Sequence, residues 1–206
     1  MRPWRGGLII VPLCIATCMI GANAAAAADP DWPCMVIEVP HLALASAWSG
    51  PSVDRYLASW PADPALADLA RRVSERRMPP EEAAREIHAF AGAAGTQRHD
   101  RLLELMAGVF TTLAAERDAV MAGLDRFGRR QKELAGEIRT DVETLRTAQA
   151  APDAKPATLT AMQQKVTWET RMFEQRRDAL HYACDVPTLI EQRLFVLARI
   201  VEPLLN

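Results

Sequence analysis

The sequence is poor in the residues that usually carry chemistry. Among 206 residues there are four cysteines, four histidines and ten glycines, and aromatic residues make up 6%. No Cys-x-x-Cys or Cys-x-x-Cys-His occurs, so thioredoxin-like redox chemistry and covalent c-type haem attachment lack their signatures. Nor is there a Gly-x-Ser-x-Gly elbow or a glycine-rich phosphate loop, which removes the usual marks of a serine hydrolase and of a nucleotide-binding site. The histidines (His41, His88, His99 and His181) include no pair at i, i+4 on a helix face. A di-iron bundle requires two Glu-x-x-His motifs, and the nearest match is one Asp178-x-x-His181, half the set with the wrong acid. That pair reads as a surface pair near a helix end. Paired carboxylates such as Glu81 with Glu82, or Glu133 with Glu137, fall in charge-alternating faces that solvent normally covers. No cofactor and no catalytic residue is expected.

An excess of one charge is also missing. Lys and Arg number 24 against 26 Asp and Glu, for a formal net charge of −2. A mildly acidic chain of mixed charge is a poor partner for nucleic acid or an anionic membrane. Long apolar runs are confined to the N-terminus. There, Arg2 and Arg5 precede the apolar run Leu8–Ile20, followed by "GANAAAAA". The pattern predicts a secretory leader over residues 1–28, cleaved near Ala28. The competing reading is lipidation at Cys18, but Thr17 stands where Gly, Ala or Ser is usual. Cleavage would leave 22 basic and 26 acidic residues, a formal charge of −4, and no segment able to span a membrane. Periplasmic or secreted location is the expectation.

Cleavage would also remove Cys14 and Cys18. Cys34 and Cys184 then remain, and two cysteines in an oxidising compartment predict one disulfide. A Cys184–His181 nucleophile is the alternative, and the pairing of Cys184 with Cys34 explains that cysteine better. Methionines 106, 121, 162 and 172 recur at helical spacing among apolar residues, as core filling does, and a copper site is not needed to explain them.

What the chain does have is helix. Residues 29–62 hold five prolines with Trp32, Trp48 and Trp60. Proline at that density forbids a long helix, and the aromatics argue against a disordered linker. An extended strap with anchoring tryptophans and one short helix near 52–59 is predicted. From Asp63 onward the pattern is helical, in a single region 63–206. Asp63 and Pro64 supply an N-cap and first position, and Gly92 or Gly95 ends a second helix whose apolar face is Ala84, Ile87 and Ala91. Residues 97–149 lack proline and carry apolar residues at three, four or seven, the pattern of a coiled-coil seam; Arg117 and Gln131 occupy skipped positions. "APDAKPAT" (151–158) is a turn, and a returning helix over about 159–182 carries Leu159, Met162, Val166, Phe173 and Leu180. "CDVP" at 184–187 should interrupt before the final helix. "MVIEV" (35–39) is the one β-like run.

The expected class is therefore all-α: a helical bundle head, a long antiparallel coiled-coil hairpin arm over about 121–183, and the strap. Such a shape suits a non-catalytic protein acting by contact with another envelope or periplasmic protein, as adaptor, scaffold or chaperone-like module, or as a homodimer. The alternative is a bundle that binds haem, metal or a small apolar ligand under the strap.

Overall fold

The computed structural model describes residues 31–206. The leader over 1–28, its cleavage near Ala28 and the Cys18 alternative lie outside the described residues. The elements are α1 (Pro64–Ser74), α2 (Pro80–Ala93), α3 (Arg98–Ala150) and α4 (Pro156–Val201). Short 3-10 turns occupy Leu44–Ser46, Asp54–Tyr56, Trp60–Ala62, Gly95–Gln97 and Glu202–Leu205. The protein is all-α, and "MVIEV" forms no strand: no strand occurs among the described residues. A single 3-10 turn followed by further turns stands where a short helix near 52–59 was expected.

The helix ends obey local chemistry. Asp63 Oδ1 accepts the amides of Ala65 and Leu66 at 2.9 and 3.2 Å, and Pro64 opens α1. The other carboxylate oxygen of Asp63 takes the guanidinium of Arg101 from α3. That hydrogen bond, with the two amides, holds the Asp63 carboxyl below its ordinary range. The cap of α1 is thereby tied to the helix it packs on. Gly95 lies at φ +54°, a left-handed conformation that costs glycine little, and it turns the chain from α2 into α3.

One core collects the apolar faces. Leu66, Ala70 and Val73 of α1 meet Leu102, Leu105, Met106, Val109 and Leu113 of α3 and Ile190, Leu194, Leu197 and Val201 of α4, all buried. Each such Leu, Ile, Val or Met contributes about 1.5–3 kcal/mol by leaving water. From α2 the buried residues are Ala83, Ile87 and Ala91. Ala83 thus replaces the expected Ala84, since a strict four-residue step keeps the small side chains on the stripe that faces α3 and α4. Leu42, Trp48 and Val53 close the core from the N-terminal segment, with Trp60 packed against its edge.

The two long helices carry the rest of the shape. At 53 and 46 residues, α3 and α4 are about 80 and 70 Å long. Arg117 faces Glu191, Gln131 faces the Phe173 carbonyl and Asp141 faces Lys165. The numbers rise on one helix as they fall on the other, so the packing is antiparallel. Beyond Gly128 no residue of α3 is buried, and before Pro187 the one buried residue of α4 is Glu169. In that outer part Leu134, Ile138, Val142 and Leu145 are half-buried against half-buried Leu159, Met162, Val166 and Phe173. A layer only two helices thick offers one seam and leaves the flanks to solvent.

A larger expectation also fails. "CDVP" does not interrupt the returning helix: α4 runs unbroken through Pro187, which is buried. Proline inside a helix removes one hydrogen bond and crowds the preceding turn, at a cost of about 3 kcal/mol. Burial of Pro187 itself and of the Ile190, Leu194 and Leu197 stripe that continues beyond it outweighs the lost bond. Tertiary packing here overrides the local stop signal.

Candidate functional site: the strapped hairpin

The strap crosses the root of the hairpin and is pinned to both long helices. Asp31 Oδ1 meets Lys132 Nζ of α3 at 2.5 Å. The chain passes so near α3 that a Cβ at Gly128 would overlap the Asp31 carbonyl oxygen and stand 3.2 Å from Pro33 Cδ. Only glycine admits that approach. Trp32 Nε1 donates to the Val36 carbonyl at 2.8 Å, which bends the strap back on itself. Cys34 is then bonded to Cys184 of α4, with Cα atoms 5.7 Å apart and 150 residues between them in sequence. Further along, Arg117 Nη1 donates to the Pro40 carbonyl, and His41 Nδ1 lies 3.4 Å from Asp118 Oδ1. Between these pins the chain is bare: Met35 is 103% exposed and Ile37 90%.

Arg117 is the polar hub of this junction. It is 2% exposed, and its Nε donates to Glu191 Oε1 at 3.0 Å while Nη1 reaches the strap. A guanidinium carries several fixed donors, so one residue can join α3, α4 and the strap at once. The skipped apolar position noted in the sequence is thus a buried cross-link. Gln131, the other skip, donates to the Phe173 carbonyl at 3.3 Å across the hairpin.

Two further features lie on the hairpin. An open groove of about 380 Å³ runs between Val120, Leu124 and Phe127 of α3 and Leu180, Ala183 and Val186 of α4, with an almost wholly apolar lining. Farther out is a polar layer. Lys165 Nζ lies 2.7 Å from Asp141 Oδ2 and 3.6 Å from Glu169 Oε1. The hydrogen bond from Lys165 holds the Asp141 carboxyl below its ordinary range, and the same contact raises the ammonium. Burial pushes Glu169 the other way, upward, assisted by its contact with Asp141.

Of the residues singled out from sequence, Cys34 and Cys184 are brought together and the histidines are not. His41 and His99 each lie beside one aspartate, His88 is exposed on α2, and no three His, Cys, Asp or Glu converge among the described residues. Asp178 and His181 do not pair as expected: Asp178 lies 3.5 Å from Arg177, while His181 meets the Tyr182 ring edge-on. They also sit mid-helix, because α4 does not end at 182. Met106 and Met121 are buried, Met162 and Met172 half-buried on the outer hairpin. Glu81, Glu82, Glu133 and Glu137 are exposed. The Asp141–Lys165–Glu169 layer was not foreseen. Its signal was available: Glu169 falls between Val166 and Phe173, at three and four residues, on the apolar stripe.

The fold and this site define an all-α protein with a strapped, disulfide-fastened helical hairpin. A disulfide, together with the lack of any helix among the described residues long and apolar enough to cross a membrane, is compatible with an extracytoplasmic location. Compared with family models, curated proteins and solved structures, the chain matches none.

Proposed function

We propose that the protein is exported to the periplasm or secreted, and acts there without catalysis by holding another envelope protein along its hairpin arm. The observation that supports this reading is the outer hairpin itself. Residues 129–150 of α3 and 156–186 of α4 extend past the buried core with only half-buried apolar contacts, while charged side chains cover the flanks. A rigid, elongated two-helix surface offers much side-chain area and no enclosed cavity, which suits an adaptor, scaffold or chaperone-like clamp. The disulfide and Arg117 fix the root of the arm, so that binding costs little ordering. A homodimer through the same surface is one form of this contact.

Deleting residues 130–175 and joining the ends by a short turn should leave a cooperatively folded, disulfide-bonded head that no longer co-purifies with the envelope partner of the full chain. Retention of the same partner by the truncated protein defeats the reading. So does a full-length chain that crosslinks to no envelope protein and sediments as a monomer.

The apolar groove favours a second reading, a binder of a small apolar ligand at the root of the hairpin. An apolar fluorophore that brightens on binding, and is displaced by a fatty acid in proportion to protein, supports it. Colour or bound mass in native protein extends it to a cofactor.

A further inference from the structure

A buried carboxylate with one unused oxygen is costly unless something neutralises it. Glu169 is 7% exposed and its Oε2 is buried without a hydrogen-bond partner. The charged groups that face it are Asp141 from α3 and Lys165 one turn earlier on α4. Lys165 gives its close contact, 2.7 Å, to Asp141 and only a distant 3.6 Å approach to Glu169 Oε1. Two carboxylates thus share one ammonium, and with both ionised the layer carries a net charge of −1. A proton on Glu169 removes that charge. It also gives Oε2 a hydrogen to donate toward the Asp141 carboxylate, which completes the hydrogen bonding of the layer.

We propose that Asp141, Lys165 and Glu169 form an acid-sensitive clamp, in which one proton held by Glu169 and shared with Asp141 closes the outer hairpin and its loss loosens it. The layer lies nine residues before the end of α3, about 14 Å from the turn that joins the helices. Nothing but the single apolar seam backs it there, so the layer governs a large part of the local stability. The clamp does not depend on what the arm touches.

The direction follows from the two carboxyls. Glu169 is raised, first by burial and then by Asp141, so its contribution is complete below the ordinary glutamate range and is lost as pH rises through its folded value. Asp141 is lowered, chiefly by Lys165, so its contribution is present above the ordinary aspartate range and is lost only as pH falls well below it. The arm is tightest in mildly acid solution, between those limits.

The test is amide hydrogen exchange on the full chain, expressed as protection factors, with amides of 134–173 read against core amides of α3 and α4. Arm protection should fall as pH rises from about 4, just below the ordinary glutamate value, to about 8, while core protection stays level. Glu169→Gln, which mimics the protonated acid, should keep the arm protected at both values. Asp141→Asn should move the transition to lower pH. Equal arm protection at the two pH values in the native chain, or an unchanged pH response in Glu169→Gln, overturns the proposal. Should Glu169→Gln misfold, carboxyl-carbon NMR of the native chain decides: a Glu169 midpoint at or below that of free glutamate refutes the clamp.

Discussion

The strap–hairpin junction makes a sharp prediction at Gly128, where two opposing effects change balance with the disulfide. Replacing an interior helical glycine by alanine stabilises a helix by about 1 kcal/mol, because the unfolded backbone loses freedom. In this position the new methyl group would overlap the Asp31 carbonyl oxygen and crowd Pro33. Ordinary van der Waals separation is about 3.5 Å or more, so the strap must retreat by over an ångström. It cannot do so freely: Cys34 is bonded to α4 three residues later, and Asp31 is held by Lys132. Overpacking of this kind costs about 1–3 kcal/mol, and the double anchorage places Gly128→Ala toward the upper end. The net loss should be about 2 kcal/mol, or about 4–8 °C in Tm for a protein of this size. In a Cys34→Ser background the strap can lift away. The same substitution should then show only its helix gain, a rise of up to about 2–4 °C over the Cys34→Ser parent. Thermal or urea unfolding of the four proteins in this double-mutant cycle, all without reductant, measures the coupling. A Gly128→Ala effect of the same sign and size in both backgrounds, within about 0.5 kcal/mol, would refute the crossing of strap and helix.

The same cycle gives the strength of the fastening. Opening the Cys34–Cys184 bond releases a loop of 150 residues, for which chain entropy sets a ceiling of about 5 kcal/mol; Cys34→Ser should lower Tm by an amount below that ceiling, and intact-mass analysis of the native chain under alkylating, non-reducing conditions should find neither of these two cysteines modified. Arg193 should matter nearly as much. Its Nε and Nη2 donate to the Val73 carbonyl at 2.9 and 2.5 Å and its Nη1 to that of Met78 at 2.9 Å, so it caps the C-terminal end of α1 from inside α4. Arg193→Leu leaves those carbonyls without their donors and should cost about 2–4 kcal/mol in urea unfolding, with Arg193→Lys recovering only part, since one ammonium cannot serve two sites in the guanidinium geometry.

Features decided by neighbours in sequence were readable from sequence. The Asp63–Pro64 start of α1, the left-handed Gly95, the turn after Ala150 and the length of α3 all follow from residues within a few positions of one another. Pairing Cys34 with Cys184 needed only elimination, once the two earlier cysteines were assigned to a leader. Pro187 shows the limit of such reasoning. Its local signal is a stop, yet the helix continues because the stripe beginning at Ile190 is already committed to the core. The energy that overrides the proline comes from α1 and α3, some 80 to 120 residues away.

The roles of the polar residues that interrupt the hairpin's apolar pattern depend on distant partners in the same way. Arg117, Gln131 and Glu169 each break an apolar pattern, and a break in a seam suggests a weak, solvated place. In the folded chain each break is a cross-helix contact: Arg117 to Glu191 and the strap, Gln131 to the Phe173 carbonyl, Glu169 toward Asp141 and Lys165. A two-helix arm has no third element to fix how far one helix slides along the other. A purely apolar seam tolerates slippage by a turn, since leucine and valine pack almost as well one step along. Slipping these helices would strand a guanidinium, an amide N–H and two carboxylates in the seam, each at a cost of about 1–3 kcal/mol or more. The interruptions therefore act as register marks. The weakest-looking positions in the sequence are the ones that join the two long helices.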